Sequence, residues 1–186
     1  MTPRLKVRTD PGQGTPLVLL HGFGGAGEDW AGIAEALAGA ALIIPDLPGH
    51  GGSMTYPEAG PPKVAGNAVL AELDAAGHAR VHLAGHSMGG AIATLIALAA
   101  PDRVASLTLF APGGFGPEIN HRLLTRYTRA AETDTMRAVL EGMTGYRYAV
   151  PDELVAQKLA QHAMPGQRPL LQALAADMVR DGRQGT

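Results

Sequence analysis

The 186-residue chain has no cysteine. That excludes disulfides and thiolate chemistry and leads us to expect a reducing, cytoplasmic setting. It has little net charge, −2, and charged residues make up only 17%. No basic field exists to draw in nucleic acid or an anionic membrane surface, so neither is expected as a partner. Long hydrophobic runs are missing as well. The longest apolar stretch, 91–100, is too short to span a bilayer. The opening Met1-Thr2-Pro3-Arg4 has no apolar h-region, so no secretory signal is expected. Serine is scarce, occurring only at 53, 87 and 106. What is abundant is apolar: 46% of the residues, enough for a real core in a chain of one-domain length.

One of those three serines sits where a short apolar run stops abruptly. Val81-His82-Leu83-Ala84 leads into Gly85-His86-Ser87-Met88-Gly89-Gly90, and a helical run over 91–100 follows at once. This is G-x-S-x-G between a strand and a helix. The turn is tight enough to strain the serine backbone. The positions two before and two after must then be small, because their Cβ atoms would collide with the turn. The strain lifts the Ser87 hydroxyl clear of the sheet, at the positive end of the next helix.

The rest of the first two-thirds repeats one rhythm. Leu5-Lys6-Val7-Arg8 alternates like a half-exposed strand, and Pro16-Leu17-Val18-Leu19-Leu20 reads as a strand buried on both faces. It ends in the Gly-rich loop His21-Gly22-Phe23-Gly24-Gly25. A helix is expected next, with Trp30, Ile33, Ala34 and Leu37 inward. A strand over 40–45 ends in Asp46-Leu47-Pro48-Gly49-His50-Gly51. A helix over 63–76 precedes the Ser87 strand, and a further strand over 104–110 closes in Pro112-Gly113-Gly114. Alternating strands and helices predict an α/β protein with a mainly parallel, doubly wound sheet. After Phe115 the rhythm becomes helical. Helices are expected over 119–131, 135–143, from Pro151 to about 163, and over 169–180 with Gly182 as the stop.

Three motifs, His21-Gly22-Phe23-Gly24-Gly25, Pro45-Asp46-Leu47-Pro48-Gly49-His50-Gly51 and Gly85-His86-Ser87-Met88-Gly89-Gly90, occur in that order, each after a strand. Together they closely resemble the α/β-hydrolase fold family. The run from Leu109 to Asn120 is also similar to the hydrolase-like domain of acetoin-dehydrogenase acyltransferase subunits. The resemblance implies a hydrolase core over 1–115 and a helical cap or lid over 116–186. It implies that Ser87 is the nucleophile and that the backbone N–H groups of Phe23 and Met88 hold the developing oxyanion. The substrate would be a small acyl compound: an ester, thioester, amide or cleavable C–C bond. No cofactor and no metal is implied.

In the resembled family the triad acid and histidine follow strands that would come after residue 186, so the C-terminal strands of a complete fold are expected to be missing here. The alternative position for the acid, Pro112-Gly113-Gly114, has no carboxylate, and the first one downstream is Glu118. His21, His50 and His86 read as local packing, and His78 and His82 fall at the wrong end of the sheet. His121 and His162, both expected on solvated cap-helix faces, are the weak substitutes for a base. Without a base a serine hydroxyl is a poor nucleophile. The alternatives are therefore acyl transfer on the same scaffold, or a binding protein that lacks the acid and histidine. Two further classes fit poorly. His50, His82 and His86 make no ligand pair on one helix face. Gly22, Gly24 and Gly27 have dinucleotide spacing, with Asp46 about 20 residues on, but the Ser87 turn downstream makes the loop an oxyanion loop instead. The edge strand Val104–Phe110 is expected to be exposed, a surface for self-association.

Overall fold

A computed structural model describes residues 3–145, 147–180 and 183–184. The alternating and apolar runs become five strands: β1 (Val7–Asp10), β2 (Gln13–Leu20), β3 (Ala40–Pro45), β4 (Val81–His86) and β5 (Val104–Phe110). They form one sheet in the order β1-β3-β2-β4-β5. β2 pairs parallel with β3 and β4, β4 parallel with β5, and only β1 runs antiparallel, against β3. The sheet is covered on both faces, which is why β2, β3 and β4 read as continuous apolar runs. On one face α2 (Pro62–Ala75) and α3 (Met88–Ala99) bury Val69, Leu73, Ile92 and Ile96 against Val18, Leu20, Val81 and Leu83. On the other, Trp30 and Ala34 pack on Leu19, Leu42, Ile44 and Ala84.

That second face differs from the expected stripe. Ile33 and Leu37 are exposed, and only Trp30 and Ala34 are buried. The segment is not one helix. A 3-10 turn, Gly27–Trp30, hands over to a short α1 (Ala31–Ala36). The change from three to 3.6 residues per turn breaks the phase that would have aligned all four side chains. The helix after Ser87 also begins earlier than its apolar run, at Met88, because Gly89 and Gly90 form its first turn.

β5 is an edge of the sheet, paired only with β4 among the described residues. Leu107 is 37% exposed and Phe110 46%. The sheet and its helices make up one compact unit, Met1–Gly116.

The second unit, Pro117–Thr186, is helical. It contains α4 (His121–Arg129), α5 (Thr133–Glu141), α6 (Asp152–Ala163) and α7 (Gln167–Met178). Asn120 starts α4 by accepting the Leu123 N–H. Pro151 caps α6 rather than sitting in its first turn, while Asp152 and Glu153 occupy that turn. Tyr127, Met136, Val139, Val155 and Leu171 are buried in this unit. It is not wholly without strands, as the rhythm suggested. α7 stops at Met178, and β6 (Val179–Arg180) pairs antiparallel with β7 (Arg183–Gln184). The expected stop at Gly182 lies outside the described residues. No helix among the described residues is long and apolar enough to cross a membrane.

Candidate functional site

Strand order positions the site. From β2 the chain crosses to β3 on one side, then returns through α2 to β4 on the other. Ligands of open parallel sheets sit at the carboxyl ends of strands where the order reverses in this way. β2 and β4 are in register there, Leu20 opposite Gly85, so the loops leaving them start side by side.

Ser87 links β4 to α3 with φ 52° and ψ −116°. A non-glycine residue in this region costs about 1–3 kcal/mol and persists only when its surroundings enforce it. Here they do. The Ser87 N–H donates to the Phe110 carbonyl at 3.0 Å, and the Ser87 carbonyl accepts from Gly90 at 3.0 Å and Gly113 at 2.9 Å. A second non-glycine residue with positive φ, Ala111 at 42°, closes β5 beside it. The flanking glycines are required by contact with main chain. A Cβ on Gly85 would lie 2.3 Å from the Gly89 carbonyl oxygen, and one on Gly89 2.2 Å from the Leu20 carbonyl oxygen. The Met88 N–H lies in the first turn of α3, where the helix itself supplies no acceptor.

The loop after β2 runs against this turn. A Cβ on Gly22 would meet the His86 ring at 2.9 Å and the Ser87 Cβ at 3.4 Å. The structure therefore brings Ser87, Met88 and the Gly22–Phe23 segment together. A tight turn, closed by the Gly25 N–H on the Gly22 carbonyl at 3.0 Å, has Gly24 at φ 66°. Two buried histidines hold it. His21 Nδ1 donates to the Gly22 carbonyl at 2.8 Å, and its Nε2 accepts the Leu47 N–H at 2.9 Å. His50 Nδ1 donates to the Pro48 carbonyl at 3.0 Å, and its Nε2 accepts the Gly24 N–H at 3.1 Å. Since carbonyls only accept and backbone N–H groups only donate, both rings are neutral with the proton on Nδ1.

Sequence reasoning set the dinucleotide reading aside and assigned Asp46 no role. Its Oδ1 accepts the Gly27 N–H and its Oδ2 the Gly52 N–H, each at 2.7 Å. The loop after β3 is thereby tied to the 3-10 turn after the Gly-rich loop. Asp46 four residues before His50 was the available signal.

The remaining histidines fall as follows. His82 Nδ1 lies 2.7 Å from the Ser106 hydroxyl across β4 and β5. His121 is exposed at the start of α4. His162 is not on a solvated face. It is 2% exposed, edge-on to Tyr127 at 4.6 Å, with Nδ1 donating to the Ala130 carbonyl at 3.1 Å. Its Nε2 is buried without a hydrogen-bond partner. Burial pushes its pKa below the usual histidine range. Lys158 and Arg168 push the same way, and the bond to Ala130 opposes them. The α6 face carrying Val155, Lys158 and His162 turns inward, and polar character alone hid that. Among the described residues no group of three His, Asp or Glu side chains is placed to hold a metal ion.

Comparison with known proteins agrees with this architecture. A profile of the alpha/beta hydrolase fold matches residues 15–153. The dihydrolipoyllysine-residue acetyltransferase component of the acetoin cleaving system from Pseudomonas putida is 38% identical over 92% of this chain and 46% of its own. The 2-hydroxy-6-oxo-6-phenylhexa-2,4-dienoate hydrolase of Burkholderia cepacia is 30% identical over 81% of this chain and 57% of its own. A meta-cleavage product hydrolase from Pseudomonas fluorescens superposes with a TM-score of 0.79 at 22% identity, over 96% of this chain and 66% of that one. The chain thus spans about half the length of the curated relatives it matches.

Proposed function

The chain belongs to the α/β-hydrolase fold family, and we propose that within it Ser87 attacks a small acyl substrate to form an acyl-enzyme. The observation that carries this is the enforced backbone of Ser87, at φ 52° between β4 and α3 with main chain packed against both flanking glycines. A binding protein has no use for that strain.

In the proposed reaction the Ser87 hydroxyl gives its proton to a base as Oγ bonds to the carbonyl carbon. The carbonyl electrons move onto oxygen, where the N–H groups of Phe23 and Met88 stabilise them. The intermediate collapses, and the leaving group departs with a proton. Water then attacks the acyl-enzyme, and Oγ regains its proton. We assign the base and its acid partner to neither His21 nor His50, whose ring nitrogens are all engaged. His162, buried in its own unit, is the poorer of the two helical-unit substitutes, and His121 the better. The Pro117–Thr186 unit would serve as the cap.

A second reading keeps every step but the last. The acetyltransferase component is similar over 92% of this chain, which favours an acceptor thiol in place of water. Intact-mass measurement after fluorophosphonate treatment tests the common part. An adduct on the wild-type chain that is absent from Ser87→Ala means that a base among these residues reaches the hydroxyl, and supports the acyl-enzyme reading. A folded wild-type sample without adduct means that Ser87 is unactivated in this chain, and favours the binding-protein alternative. Acyl-CoA turnover that rises on adding a dithiol acceptor would select transfer over hydrolysis.

A further inference from the structure

We propose that the Gly113 N–H, in the turn leaving β5, is a positioning group for the Ser87 reaction: it holds the Ser87 carbonyl and so aims the Met88 N–H of the same peptide. This rests on the reading of Met88 as an oxyanion donor.

The ladder between β4 and β5 explains how Gly113 comes to hold that carbonyl. His86 lies opposite Phe110, and the Ser87 N–H donates to the Phe110 carbonyl at 3.0 Å. Continued in regular parallel pairing, the next bond would run from the N–H of residue 112 to the Ser87 carbonyl. Residue 112 is proline and has no N–H to give. The donor arrives one residue late instead, from Gly113 at 2.9 Å. The surplus residue is taken up at Ala111, whose φ of 42° is left-handed. A β-bulge works in the same way, absorbing one extra residue in a local kink. A residue before proline is pushed toward extended backbone, so Ala111 resists this bend through its own Cβ and through the Pro112 ring. Pro112 in turn lies over the first turn of α3, its Cβ 2.8 Å from where a Cβ on Gly90 would stand. Backbone strain of this kind persists where the surroundings enforce it, and it gathers at functional sites.

What the brace does follows from the geometry of one peptide. The Ser87 carbonyl and the Met88 N–H belong to the same peptide unit, and no peptide among the described residues is cis. In a planar trans peptide the two point in opposite directions. Whatever fixes the carbonyl therefore fixes the direction of the N–H. Three donors converge on the carbonyl: Gly90 at 3.0 Å, Ala91 at 3.2 Å and Gly113 at 2.9 Å. The first two belong to α3 and travel with it. Gly113 ties the carbonyl to the sheet, and so registers the Met88 N–H against β4 and β5 as well as against its own helix. A group misplaced by about an ångström forfeits on the order of 100-fold in rate. The turn that carries no carboxylate thus works through its main chain.

Nuclear magnetic resonance on the 186-residue chain decides this whatever the chemistry. In a sample labelled at carbon and nitrogen, a coupling through the hydrogen bond is expected between the Gly113 nitrogen and the Ser87 carbonyl carbon. Its absence overturns the brace. An ester in place of the Pro112–Gly113 amide deletes the donor and sets an oxygen against the carbonyl. The dipolar coupling of the Met88 N–H, read against the amides of β4, should then change. In Ala111→Gly, which enters the left-handed region freely, it should keep the wild-type value. An unchanged Met88 coupling in the folded ester overturns the proposal. Fluorophosphonate labelling reads the consequence. At saturation the ester should label Ser87 about tenfold more slowly than wild type, with unchanged reversible binding, and Ala111→Gly should label at the wild-type rate. Equal rates in ester and wild type overturn the positioning role. A wild type with the expected couplings and no adduct keeps the brace and shows Ser87 unactivated in this chain.

Discussion

At the scale of single residues, the glycines around Ser87 differ sharply from others in the chain. Gly89→Ala would put a Cβ 2.2 Å from the Leu20 carbonyl oxygen, a main-chain atom that cannot swing aside. We expect a loss of about 3 kcal/mol or more in urea unfolding. Gly32, inside α1, has nothing within 4 Å of its would-be Cβ. Gly32→Ala should stabilise by about 0.5–1 kcal/mol through helix propensity alone. His162 gives a pH test. An unfolded histidine titrates near 6.5, and the folded ring is held lower. As pH falls the unfolded chain takes the proton first, so this contribution is complete above 6.5 and lost below it. Hydrogen exchange of α6 amides should therefore quicken between about pH 7.5 and about pH 5.5 beyond the intrinsic trend, and His162→Phe should remove the excess. The Ser87 turn was legible from five letters because its geometry leaves no freedom at two of them. The histidines were only half legible. Spacing placed His21 and His50 in loops, but which backbone group each ring meets depends on strand order. The inward turn of His162 depends on packing.

At the scale of elements, the two sheet edges contrast. β1 carries Arg8 paired with Asp10 and is followed by Pro11, features that discourage further pairing. β5, Val-Ala-Ser-Leu-Thr-Leu-Phe, has no charge and no proline. We propose that this edge lets two copies pair. Sedimentation should show concentration-dependent association, and Leu107→Lys, changing a residue 37% exposed, should abolish it without lowering the melting temperature. A wild-type chain that stays monomeric at high concentration would refute the idea. Continuous apolar runs located the core strands, since burial on both faces writes itself into composition. The stripe at Ile33 and Leu37 misled because a 3-10 turn and an α-helix share no common period.

At the scale of the whole molecule, the chain divides between Gly116 and Pro117. Phe115 is 64% exposed within a Gly-rich connection. Limited chymotrypsin digestion should cut there first and yield two fragments. Early cleavage inside the sheet unit instead would argue against the division. In the sequence a change from alternating to helical rhythm falls near this division, whereas the β6–β7 pairing, two residues a side, is too short to produce a pattern.

The contact of Gly89 with the end of β2 carries an evolutionary consequence. The absent side chain lies over the Leu20 and His21 carbonyls, at the root of the loop that bears Phe23. Side chains that clash can be relieved by mutating the neighbour, but a carbonyl is present whatever residue is encoded. Drift at this position has no compensating change to pair with. The Ser87 turn and the loop after β2 are thus inherited as one piece, and a mutational library aimed at either should recover viable variants only with glycine at 89.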